Sequence, residues 1–177
     1  MSSPFTLETE RTFSRPFEPD DAAEAFSWLS DPEVMRYIPS PPDAKLADTV
    51  ARLRRYITHQ ETNGFSKWII IDRLTQRPIG DAGLYHLPEG KGIELGYRIA
   101  RAHWGTGLAT EVARKWIEVA PEFLDISTLF AFTHRDNTTS QRILQKLGFT
   151  YKKMETLYGW EAPFYELPLF PNTRAAS

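Results

Sequence analysis

A chain of 177 residues can bury one substantial core but not two comfortable ones, so one domain spanning residues 1–177 is expected. Its 41% hydrophobic and 25% charged residues fit a globular protein, and 21 basic against 23 acidic side chains, a formal charge of -2, offer no extended positive field for nucleic acid. With no cysteine, disulfides, thiolate metal sites and cysteine nucleophiles are excluded.

In chain order, the opening MSSPFTLETE is too polar for a secretion signal, and no apolar run approaches the roughly 20 residues that span a bilayer. A cytoplasmic protein with no membrane partner is expected. Leu7 to Arg15 reads as an opening strand. Pro19-Asp20-Asp21 then caps a helix carrying Ala22, Ala25, Phe26 and Leu29, and a turn follows at Asp31-Pro32. After a stiff loop at Pro39, Pro41 and Pro42, a long helix from Ala44 to Thr62 places Leu46, Val50, Leu53 and Ile57 at helical spacing. The period then changes: Lys67 to Asp72, Pro78 to His86 and Gly92 to Ile99 predict consecutive antiparallel strands.

From Gly105 the helical period returns, with Ala109, Val112, Ala113, Trp116, Ile117 and Ala120 on one stripe. Ile126 to Thr133 reads as a strand buried on both faces. Thr138 to Leu147 is a short helix, with Thr138 and Gln141 as a capping box and Gly148 as its left-handed terminator. Two aromatic-rich strands, Phe149 to Leu157 and Pro163 to Leu169, close the chain before a short frayed tail after Pro171. This order implies an α/β or α+β sheet covered by helices on both faces.

The stretch from Arg101 to Glu111 lies between a predicted strand and an amphipathic helix. A helix N-terminus presents unpaired N–H groups and the positive end of its dipole, and Gly105 and Gly107 would let a diphosphate approach the backbone there. Taken alone, two glycines equally fit a tight bend. No Lys-Ser or Lys-Thr follows them, against a P-loop, and Thr110 replaces the third glycine of the dinucleotide fingerprint.

Glu94-Leu-Gly-Tyr97, Trp104-Gly-Thr-Gly-Leu-Ala-Thr-Glu111, Asn137-Thr-Thr-Ser140 and Lys146-Leu-Gly-Phe149 occur in that order. With these four motifs, and a likeness running from Arg11 through Asp31-Pro-Glu-Val-Met35 to Phe149, the chain resembles the GNAT acetyltransferases, most of all their Rim-type branch, named for ribosomal-protein N-terminal acetyltransferases. Trp104 stands where the broad superfamily prefers Gln or Arg, but the Rim-type branch often has Trp there.

The resemblance implies the GNAT fold: a mostly antiparallel, splayed seven-stranded sheet flanked by about four helices. It implies acetyl-CoA as cofactor, with the coenzyme A diphosphate on the amides of Gly105, Thr106, Gly107, Leu108, Ala109 and Thr110, beside Trp104. Pantetheine is expected along the strand through Ile99, with further contacts from Asn137 and Arg142. The implied activity is transfer of the acetyl group to a peptide or protein N-terminus or a small-molecule amine, by a monomer or homodimer. A catalytically silent acyl-CoA-binding module of the same fold is the alternative.

Amine acetylation needs a deprotonated nucleophile, a polarised thioester and a proton for the thiolate. The resemblance offers Glu94 as general base, and its apolar sequence neighbours suggest desolvation; a solvated carboxylate, or a partner for Arg98 or another nearby cation, is the plain alternative. It offers Asn137 as a cofactor contact and Ser140 as a hydroxyl near the sulfur, although both fit plain helix capping. The superfamily's usual acid, a tyrosine, is replaced by Leu144, which leaves Ser140, Tyr151 or water to protonate the thiolate. The segment Trp28 to Pro42 and the hairpin from Tyr158 to Glu161 are the expected acceptor walls, with Trp28, Tyr37, Trp160 and Glu161 as candidate contacts, Glu161 attracting a cationic amine. His59, His86, His103 and His134 have no metal-ligand spacing, so no metal is expected.

Overall fold

The computed structural model describes residues 6–170; the tail expected after Pro171 lies outside the described residues. The opening strand is broken into Leu7–Glu8 (β1) and Thr12–Pro16 (β2), because Thr9 turns the chain by bonding both the amide and the carbonyl of Thr12. A 3-10 turn at Pro19–Asp21 leads into Ala22–Leu29 (α1), fixed by the Asp21 carboxylate, which accepts the Glu18 amide at 2.7 Å and both terminal nitrogens of Arg15 at 2.8 Å. The turn expected at Asp31-Pro32 is a four-residue helix, Pro32–Met35 (α2), capped by the Asp31 side chain on the Glu33 amide.

The long helix runs Leu46–Asn63 (α3) and stops at Gly64, whose φ of 81° a side chain would strain. Its inward stripe differs from expectation: Leu46 and Val50 are exposed, while Thr49, Arg52 and Leu53 are buried. Buried Asp43 explains the change, since it accepts Thr49 Oγ1 and Arg52 Nη2 at 2.7 Å each and so draws polar groups inward.

Lys67–Asp72 (β3), Pro78–His86 (β4) and Ile93–Ile99 (β5) form the expected antiparallel meander. Leu108–Phe123 (α4) follows, then Thr128–Phe132 (β6), Thr138–Lys146 (α5), Thr150–Leu157 (β7) and Trp160–Pro168 (β8). β6 is not buried on both faces. Leu129 and Ala131 enter the main core, whereas Phe130 and Phe132 are half-buried beside Phe164 and Leu157. The cap of α5 is Asn137, not a Thr138–Gln141 box: its Oδ1 accepts the Ser140 amide, and Gln141 instead reaches back to the Arg135 carbonyl.

The sheet has eight strands in the order β1-β2-β3-β4-β5-β6-β8-β7, one more than expected because β1 is separate from β2. It is mixed α/β, with Trp68, Ile70, Leu84, Leu95 and Leu129 packing under α4 on one face. On the other, Ile69 and Ile71 pack with α1 and Leu53 of α3. Strand alternation sends neighbours to opposite faces, so the run Trp68 to Ile71 is buried throughout. Among the described residues the single parallel junction, β5 with β6, is paired only at Glu94↔Phe130. Past that point the two strands part. Among the described residues no helix is long and apolar enough to cross a membrane, and no cluster of three or more His, Asp or Glu could hold a metal ion.

Candidate active site

The parting of β5 and β6 opens a cleft of about 1010 Å³ that runs from the start of α4 to α2 and α3. One end is the loop before α4. Gly105 and Gly107 adopt φ of 72° and 80°, the left-handed region where glycine carries no penalty. A Cβ on Gly105 would meet no atom within 4 Å, and one on Gly107 only Arg11 Nη2 at 3.7 Å. Backbone conformation, not crowding, requires these glycines, and the space above them is open.

None of the amides of Gly105, Thr106, Gly107, Leu108, Ala109 and Thr110 has an intramolecular acceptor among the described residues; the first helical bond of α4 is from Glu111 N to Gly107 O. These donors lie at the positive end of a sixteen-residue helix. The loop is braced from behind. Arg11 donates to the Thr106 carbonyl at 2.8 Å and to Glu111 at 2.7 Å, Thr106 Oγ1 to the His103 carbonyl, and Trp104 Nε1 to the Ile99 carbonyl at 2.7 Å.

Strand alternation on β5 sends Tyr97 to the α4 face and Glu94, Gly96 and Arg98 to the other. Tyr97 Oη lies 3.1 Å from Ser140 Oγ in the first turn of α5, and burial pushes the phenol up to about 12 against the pull of that bond. The surroundings of Glu94 are not apolar, contrary to expectation: Lys67 Nζ lies 3.4 Å from its Oε1, both side chains being largely buried. Lys67 reaches Glu94 over Gly96, where a Cβ would come within 2.3 Å of Nζ and would push the ammonium off its present position. Asp81 anchors the floor, accepting Arg98 at 2.6 Å and the Trp28 indole at 2.7 Å.

Of the expected residues, the cleft gathers Glu94, Asn137, Ser140, Ile99, Trp104, Gly105, Gly107, Leu108, Ala109, Thr110 and Tyr37. Thr106 turns its side chain back to His103, and Arg142 is exposed on α5 outside the lining. Trp28 does not reach the cleft either, being 1% exposed and spent on Asp81. Trp160 packs edge-on against His134, and exposed Glu161 pairs with Thr156 in the hairpin, so of that hairpin Tyr158 lines the cleft and these two do not. Lys67 went unassigned in the sequence, and Tyr97 was given no part in proton transfer. For Tyr97 a signal existed, since it is three residues from Glu94 in the same motif. Arg98, expected as a possible partner of Glu94, bonds Asp81 instead.

The profile of the acetyltransferase (GNAT) domain matches residues 11–150. An uncharacterised N-acetyltransferase of Bacillus subtilis, YoaA, is 32% identical over 145 residues, 81% of each chain. Among solved structures, the ribosomal-protein-S5-alanine acetyltransferase of Vibrio fischeri superposes with a TM-score of 0.77 at 16% identity, over 93% of this chain and 97% of that one. The spermidine N-acetyltransferase of Vibrio cholerae, in complex with CoA and spermine, gives 0.74 at 15% identity over 90% and 96%.

Proposed function

The chain belongs to the GNAT acetyltransferase family, and on that premise we propose that it transfers the acetyl group of acetyl-CoA to a primary amine by direct attack in a ternary complex in the cytoplasm. The observation that carries this reading is the row of unpartnered amides from Gly105 to Thr110, opening onto a cleft that also holds Glu94, Tyr97 and Ser140. Six donors at one helix start suit a diphosphate, with no lysine or metal needed to hold it. The β5 edge freed beyond Glu94 suits the amide-bearing pantetheine arm, and Asn137, whose Oδ1 is spent on its cap, still offers its amide nitrogen.

When bound, acetyl-CoA supplies the activated acyl carbon. Glu94 receives the proton of the acceptor amine, directly or through water, while Lys67 fixes the position of the carboxylate. Ser140 Oγ passes a proton to the departing sulfur as Tyr97 Oη resupplies it, solvent then restoring the Tyr97 phenol; the pair replaces the tyrosine acid whose position Leu144 fills in the core. The fold relatives named above act on a ribosomal protein and on spermidine, so architecture does not choose the amine.

An acetyl-CoA-coupled screen of amines and N-terminal peptides, read by thiol release, tests this. Release is expected with at least one class, and Glu94→Gln should lower kcat about 100-fold or more with acetyl-CoA affinity nearly intact. Unchanged turnover in that variant would remove Glu94 as the base. Thioester binding with no release from any amine would select the silent acyl-CoA-binding module.

A further inference from the structure

The part of the cleft facing α3 is dominated by positive charge. Arg36, Arg52, Arg55, Lys67 and Arg98 line it against three carboxylates, Glu33, Asp81 and Glu94. No carboxylate there is free: Asp81 holds Arg98, Glu94 holds Lys67, and Glu33 faces Arg36 at 3.8 Å. Arg52 is matched from behind the lining by Asp43 at 2.7 Å. Arg55 alone among these cations has no carboxylate partner among the described residues, and Nη1 of Arg98 has no acceptor among them.

The position of Arg55 is tied to the cleft. It lies one helical turn from Arg52 on α3, and its charge is felt at the Tyr85 hydroxyl, where burial raises the phenol and Arg55 opposes that rise. An acceptor with a second ammonium, such as a polyamine, would meet this guanidinium and find every carboxylate already engaged. A carboxylate on the acceptor would instead complete the charge pattern, since the planar guanidinium fork matches it in a bidentate pair.

Resting on the transferase reading above, we propose that the acceptor is a small primary amine bearing a carboxylate, which Arg55 receives in the cleft. A phosphate dianion would call for two free cations, and the cleft offers one.

The experiment compares free amino acids with their α-amides, spermidine and a peptide of neutral N-terminal residues, with rates corrected to the unprotonated amine. The amino acids should exceed their amides in kcat/KM by about 10-fold or more, because a site built for a polar group rejects the analogue that lacks it. In Arg55→Gln that ratio should collapse towards one; Arg55 is exposed on its helix, so the fold should tolerate the change. Equal or better use of the amides, spermidine or the neutral peptide overturns the proposal, as does a ratio that survives in the variant. Absence of thiol release with every amine would overturn the transferase reading along with it, whereas release without carboxylate preference overturns this inference alone.

Discussion

Glu94 meets an ammonium where its sequence neighbours suggested an apolar wall, because a strand places residues far apart in the chain side by side: Lys67 comes from β3, two strands away. The motif Glu94-Leu-Gly-Tyr97 therefore does more than place a carboxylate. Gly96 clears a path for the lysine head, and Tyr97 faces the opposite side to meet Ser140. Burial holds the Tyr97 phenol near 12, so it stays protonated throughout the neutral range and can act as a donor there. Tyr97→Phe should lower kcat by about 10-fold or more, at the low end of acid–base contributions, and leave the pH profile between 6 and 10 unchanged in shape. Loss of a basic limb below pH 10 in that variant would show that Tyr97 titrates where its burial forbids it.

Among the elements, the hairpin of β7 and β8 shows local structure giving way to the cleft. Leu157 pairs with Trp160, leaving Tyr158 and Gly159 as the two turn residues, both at positive φ, 52° and 78°. Such turns favour Asn-Gly, and a tyrosine at the first position costs roughly 1 kcal/mol. Its phenol lines the cleft, where burial and the Glu94 charge raise it above its ordinary value. Tyr158→Asn should keep or raise stability in chemical denaturation while turnover falls, strain being retained where it serves the site. A variant that loses stability and keeps full turnover would show that Tyr158 serves only packing. The long helix α3 teaches a related lesson, since its aliphatic spacing pointed to Leu46 and Val50, yet Asp43 drew Thr49 and Arg52 inward. Period alone does not register a buried charge outside the helix.

Over the whole molecule, the strands and helices from Lys67 to Lys146 were legible because each has a clean period and glycine or proline punctuation, as at Gly64 and Gly148. The loop was legible through Gly105 and Gly107, whose left-handed φ is written in the residue type. The acceptor wall was legible only in part, at Tyr37 and Tyr158. Trp28, Trp160 and Glu161 lie near the cleft in chain order, yet a hydrogen bond to Asp81, an edge contact to His134 and a hairpin register keep them from its lining. Only the splay of β5 from β6 decides which side chains meet, and that is a property of the sheet. In the proposed function, main-chain donors at the start of α4 grip the coenzyme A diphosphate. Titrating ¹⁵N-labelled protein with coenzyme A and following the amide resonances tests this directly. The largest downfield proton shifts are expected on Gly105 to Thr110. Saturable coenzyme A binding that leaves those six amides unmoved, or no binding at all, would contradict this reading.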